Sequence, residues 1–279
     1  MLASTSRGFD AEGIERGNRQ RLETLHRAVP SPFNVAAAAG ALRMDARHAS
    51  RFLAYLAGRG WLVRLRRGLY ATVPLGAATS RGWREEPWAV AAELFSPCYI
   101  GGWTACEHWD FTEQIFRDVV VVTAGPVRKR TVSVQDTAFH LKHLPVEKHF
   151  GLKTEWVGKA KVSVSDPTRT LVDVLDEPRL GGGVRHIAEM LRNYFESEHK
   201  DERLLISYGK RLGNRTVFKR LGYLAETLGL GSAEFIEACH AARSSGLSTL
   251  DPSVKQKGSI VKRWNLRVNV QIVSGGEAG

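Results

Sequence analysis

Two short apolar runs, Trp61–Leu65 and Leu69–Val73, stand on either side of Arg66-Arg67-Gly68. Runs of this length joined by a basic, glycine-containing turn predict a β-hairpin. The hairpin follows directly on a helical pattern. Asp45 is suited to N-cap a helix over Ala46–Ala57. In that helix Ala49, Phe52, Leu53 and Leu56 recur at three- and four-residue spacing and mark a buried face. Upstream, Ile14–Val29 carries Ile14, Leu22, Leu25 and Val29 and reads as a helix stopped by Pro30 and Pro32. Phe33 and Val35 are expected to open a short Ala-rich helix ending near Gly40, with a turn through Ala41–Met44. Helix, turn, helix and arginine-tipped hairpin, in that order, predict a winged helix-turn-helix.

Charge sharpens that expectation. The chain of 279 residues has 40 Lys+Arg against 29 Asp+Glu, a formal charge of +11. Residues 1–80 hold 12 Arg, no Lys and 5 acidic residues, a net +7; the other 199 hold 28 basic and 24 acidic residues, a net +4. Arg47, His48 and Arg51 fall away from the buried face near the helix start, Arg43 lies in the preceding turn, and Arg64, Arg66 and Arg67 lie on the hairpin. This arrangement points to double-stranded DNA, with the helix in a major groove and the hairpin on backbone or minor groove. Other classes fit poorly. No apolar stretch approaches the ~20 residues of a membrane span. The first residues lack a continuous apolar run, so a secretory signal is not expected. Three cysteines, Cys98, Cys106 and Cys239, form no CxxC pair and no disulfide framework. A reducing, cytoplasmic location is expected.

Domain boundaries are expected at 1–75 and 76–279, with Pro74 to Pro87, interrupted by Gly76, Ser80 and Gly82, as the linker or helix approach. Beyond it the pattern is α+β, a larger mixed domain with strands first, then helices, then a late strand. Trp88–Leu94 reads as a helix, and Asp118–Ala124, Phe139–Leu144 and Thr154–Val164 as strands. Asp166 followed by Pro167 caps a helix running to about Asp176. Helices are also expected over Val184–Glu196, Leu204–Leu212, Thr216–Leu228 and Glu234–Ala242, and a last strand over Leu266–Val273. Arg128, Lys129 and Arg130 form a basic turn or strand edge, suited either to nucleic acid or an acidic partner or to plain solvation.

Chemistry is sparse in this part. Cys106, Glu107 and His108 are sequence neighbours, with Asp110 close by, and neighbours on a helix point different ways. Gly181-Gly182-Gly183 lacks the Lys-Ser/Thr of a phosphate loop, and no serine nucleophile elbow occurs. A nuclease or nucleotidyltransferase would need carboxylates converging on a metal, and only Asp166, Asp173 and Asp176 on one helix suggest it. No catalytic residue, metal site or cofactor is expected.

Taken in order, the motifs resemble the AbiEi family, the antitoxin and transcriptional-repressor half of bacterial type IV abortive-infection toxin–antitoxin systems. The resemblance runs from about residue 33 to 273. It is carried by Gly60–Tyr70, by Tyr99-Ile100-Gly101-Gly102-Trp103-Thr104-Ala105, and by Thr112-Glu113-Gln114. Val164–Leu171, Leu212-Gly213-Asn214, Lys219–Tyr223 and Lys262–Val270 complete it. It implies a winged helix that binds inverted repeats in its own promoter, on a dimer or on cooperatively loaded chains. It also implies a larger domain that opposes a nucleotidyltransferase-like toxin, functionally if not by direct contact. Two narrower readings stay open: a solitary regulator, and an interaction module whose DNA binding is feedback only.

Overall fold

A computed structural model describes residues 15–73, 83–255 and 257–272. Ile14, the 74–82 part of the expected linker and Val273 lie outside the described residues. The chain is α+β, with ten α-helices and three sheets among the described residues. It divides into two compact units. The first holds the described residues up to Glu93 together with Trp156–Lys161; the second holds Leu94–Glu155 and Val162 onward.

In the first unit α1 (Arg16–Ala28) buries Leu22 and Leu25. Phe33, expected to open a helix, instead forms a two-residue strand, β1 (Phe33–Asn34), paired antiparallel with Tyr70. The reason is local: Asn34 takes the N-cap position and its side chain accepts from Ala37 N at 2.9 Å, so α2 (Val35–Leu42) starts one residue later. Arg43 ends α2 in the left-handed region at φ 52, and Arg43-Met44-Asp45 forms the turn. The Asp45 carboxylate then accepts from Arg47 N and His48 N at 2.9 and 3.0 Å, which starts α3 (Ala46–Gly58). Ala49, Leu53 and Leu56 are fully buried, with Phe52 half-buried beside them. β2 (Leu62–Arg66) and β3 (Leu69–Thr72) form the expected hairpin, with Gly68 supplying the positive φ its two-residue turn needs. The sheet order is β1-β3-β2. Leu25, Phe33, Ala38, Leu53, Leu56, Leu62 and Tyr70 form one core from all three helices and the sheet.

The larger sheet has six mixed strands. Its strands are β4 (Cys98–Ile100), β5 (Val119–Thr123), β6 (Thr131–Val134), β7 (Thr137–His143), β8 (Leu152–Val157) and β9 (Ala160–Ser165), in the order β6-β7-β5-β4-β9-β8. It belongs to the second unit except at the β8–β9 tip, Trp156–Lys161, which is counted with the first. Every residue of β5 is buried, as a continuous β-branched run demands. The stretch Thr154–Val164, expected as strand, is a hairpin broken at Gly158, where φ is +59.

α4 (Pro87–Phe95) precedes β4 in the chain and α5 (Gly102–His108) follows it; both are short, and five longer helices make the helical part. These are α6 (Pro167–Asp176), α7 (Val184–Glu196), α8 (Glu202–Leu212), α9 (Thr216–Leu228) and α10 (Ala233–Ala242). Asp166 caps α6 through Arg169 N at 2.7 Å, with Pro167 in the first turn. The last strand is shorter than expected: β12 covers only Leu266–Val268. Asn269 stops it by turning its amide onto Asp251 N and O. β12 also does not rejoin the main sheet but pairs with β10 (Ser248–Thr249) and β11 (Ser259–Val261) in a sheet of its own.

This C-terminal segment is fixed to α9. Trp264 is fully buried against Gly222, where an added Cβ would lie 2.1 Å from the indole. Lys219, also buried, donates from Nζ to Ser248 Oγ at 3.0 Å and to the carbonyl of Gly246. Arg220 donates to the carbonyls of Leu250 and Leu175 at 3.0 and 2.7 Å. No helix among the described residues is long and apolar enough to cross a membrane.

Candidate nucleic-acid interface

Seven of the residues singled out in the sequence share one surface-bearing unit. Arg43 sits in the α2–α3 turn, Arg47, His48 and Arg51 on α3, and Arg64, Arg66 and Arg67 on the β2–β3 hairpin; all are exposed. Their exposure follows from the local fold. Burying Ala49, Leu53 and Leu56 forces the opposite side of α3 outward, and that side carries Arg47, Ser50, Arg51 and Ala54. Ser50 and Ala54 are short, so the helix backbone can approach a groove while Arg47 and Arg51, one turn apart, reach past it. None of the six arginines makes a side-chain hydrogen bond or ion pair among the described residues. A guanidinium has five N–H donors, so this surface presents a large set of uncommitted donors to an anion or to base edges.

The start of α3 is electrostatically tuned. Hydrogen bonding to His48 and to two backbone amides holds the Asp45 carboxyl down at about 2. The His48 ring gives Nδ1 to that carboxylate, so Nε2 is the nitrogen left for an outside ligand. Asp45 therefore serves the helix as a cap and fixes the direction of the imidazole. Behind the helix, Arg21 lies over Phe52 at 5.6 Å and Arg59 over Tyr55 at 5.7 Å, so these two arginines pack on aromatic rings.

The hairpin sets the other three cations. Arg66 pairs with Leu69 across the turn and Arg64 with Tyr70, with a register shift between Arg64 and Arg66. Such an irregularity re-aims side chains and increases local twist. Tyr70 and Leu69 are buried, so β3 holds the hairpin to the core while β2 carries the charge.

Arg128, Lys129 and Arg130 belong to the second unit. They are exposed in the segment leading into the edge strand β6, and Arg130 O accepts from Leu141 N at 2.8 Å. Cys106, Glu107 and His108 diverge on α5. Cys106 is buried, Glu107 Oε2 accepts from Phe116 N at 3.3 Å, and His108 Nε2 lies 3.5 Å from Glu155. The three aspartates of α6 and its cap each have a separate partner. Asp166 also accepts from Tyr208 Oη at 2.9 Å, Asp173 meets Arg169 and Tyr99, and Asp176 accepts from Lys142 and from Asn214. Among the described residues no group of three His, Cys, Asp or Glu side chains is placed to hold a metal ion.

Arg169 is one residue whose position the sequence did not disclose. It is fully enclosed, with Nε donating to Asp173 Oδ1 at 2.9 Å, Nη2 donating to Tyr99 Oη at 3.0 Å, and the guanidinium 4.1 Å from the Phe150 ring centre. Burial pushes the Asp173 carboxyl up, against the pull of Arg169. Trp156, 68% exposed on β8, was also not singled out. A lone tryptophan in an alternating strand reads as core, so no signal distinguished it. No family model matches this chain, and no curated protein matches it.

Proposed function

We propose that the first unit is a winged helix-turn-helix and that the chain is a DNA-binding transcriptional repressor. α3 enters a major groove, with Arg47, Arg51 and His48 Nε2 directed at base edges. Arg64, Arg66 and Arg67 take backbone phosphates or the minor groove beside it, and Arg43 contributes from the turn. The observation that carries this reading is the set of six exposed arginines, without side-chain partners among the described residues, on one helix, its turn and one hairpin of the same compact unit.

The resemblance to AbiEi antitoxins extends the proposal. The protein works in the cytoplasm, binds inverted repeats in its own promoter, and opposes a nucleotidyltransferase-like toxin through its second unit. A separate task for the second unit fits the enclosure of Arg169, Lys219 and Arg220, although Arg128, Lys129 and Arg130 of the same unit are exposed.

Footprinting on the DNA upstream of its own gene tests the reader. The wild-type chain should protect two half-sites related by inversion. Arg47→Ala and Arg51→Ala should relax base preference at defined positions of each half-site, by about tenfold per lost bidentate pair. An unprotected promoter would refute the assignment. Co-expression with the product of an adjacent nucleotidyltransferase-like gene tests the antitoxin role, with restored growth as the expected result.

A further inference from the structure

The β8–β9 hairpin ends in a two-residue turn, Gly158-Lys159. Pairing outward from that turn sets Val157 opposite Ala160 and Trp156 opposite Lys161, so Trp156 and Lys161 share a face. Tryptophan is normally well buried, yet Trp156 is 68% exposed, and its indole N–H has no partner among the described residues. Lys161 is exposed and likewise makes no ion pair among them. Lys159 anchors the tip by donating from Nζ to the carbonyl of His26 near the end of α1, at 3.2 Å. The tip, Trp156–Lys161, belongs to the same compact unit as α3 and the β2–β3 hairpin.

We propose that this tip is a second DNA-contacting element, in which Trp156 and Lys161 hold a sugar–phosphate strand of the duplex bound by α3 and the β2–β3 hairpin. It rests on the DNA-binding reading given above. The chemistry of the face selects the ligand. An indole supplies a flat surface for sugar or base and a single N–H donor for a phosphate oxygen. Lys161 beside it supplies a positive charge. Glu155, the nearest carboxylate in the strand, points to the other face, where it meets His108. A protein partner would be met by a wider apolar patch with a polar rim. Here a single exposed aromatic ring accompanies a cation, in the unit that also carries the exposed arginines of α3 and the β2–β3 hairpin.

The test uses the full chain and a labelled duplex of the sequence immediately upstream of its own gene. Trp156→Ala should weaken binding about tenfold, the size expected for one lost hydrogen bond to a charged phosphate. Lys161→Ala should make the dependence of log affinity on log salt shallower by about one unit. Thermal unfolding should be unchanged in both, because each side chain is exposed. If both variants bind as wild type while Arg66→Ala/Arg67→Ala does not, the tip is not a contact and the winged-helix reading stands. If the wild-type chain fails to bind, that reading falls and this one with it. If Trp156→Ala instead changes the oligomeric state of the free protein with DNA affinity intact, Trp156 covers a second copy of the chain and the proposal is overturned.

Discussion

Arg47, Arg51, Arg66 and Arg67 stand in solvent in the first unit, whereas Arg169 and Arg220 in the second are enclosed and hydrogen-bonded within the protein. The same side chain is used for opposite purposes, and the neighbours decide which. On α3 the buried positions are filled by alanine and leucine, leaving arginine only the outer face. On α6 the residue one turn after Arg169 is Asp173, which gives the cation a countercharge inside the protein. A net charge therefore reports on partners only after the enclosed cations are set aside. In the second unit Arg169, Lys219 and Arg220 face inward together with Asp173 and Asp251, so these groups add little to the charge its surface offers.

The largest effect should come from disturbing the enclosed pair. Asp173→Ala leaves Arg169 buried without its countercharge and should cost about 3–5 kcal/mol, read by chemical denaturation. Replacing both, as Arg169→Met with Asp173→Leu, should recover most of that loss. An equally damaged double variant would show that the pair holds the fold by more than mutual neutralisation. Next comes Gly222→Ala, whose new methyl must displace Trp264; a loss of about 1–3 kcal/mol is expected from overpacking. Neither change should alter DNA affinity at temperatures where the variant is folded.

Arg43→Gly should do the reverse. It relieves a non-glycine residue at φ 52 and should raise stability by about 0.5–1 kcal/mol while weakening DNA binding. A variant that is both more stable and binds DNA as wild type would remove Arg43 from the interface. The smallest effect concerns pH. The Asp45 carboxyl is lowered in the folded chain from its ordinary 3.8 to about 2, so its ionised form favours the fold above about pH 4. That contribution should fade as the pH falls through about 2. Asp45→Asn should flatten stability between those values in acid titrations followed by circular dichroism.

Where local signals suffice, the sequence was readable. Asp45 before Ala46 and Asp166 before Pro167 start their helices as expected, since capping involves residues only a few positions apart. Val184–Glu196 and Thr216–Leu228 match the helices in full. The hairpin with Arg66-Arg67-Gly68 at its turn was legible for the same reason. What was not legible depends on distant partners. β1 exists because Phe33 pairs with Tyr70, and β4 is only three residues long, held between β5 and β9. Leu266–Val273 alternates like a strand, but its length is set by Asn269 meeting Asp251, a contact 18 residues apart. For the candidate interface, the sequence located the exposed arginines by helical spacing. It could not locate Arg169 inside the core or Trp156 on the surface, because both look ordinary in their local pattern.

On the proposed function, the exposed arginines of the first unit engage DNA phosphates and the enclosed ones of the second do not. The most direct test is the salt dependence of binding to the upstream DNA for the wild-type chain and for Arg66→Ala/Arg67→Ala. The double variant should bind all sequences more weakly, with a slope of log affinity against log salt shallower by about two units and an unchanged melting temperature. Identical affinity and slope in the double variant would contradict it.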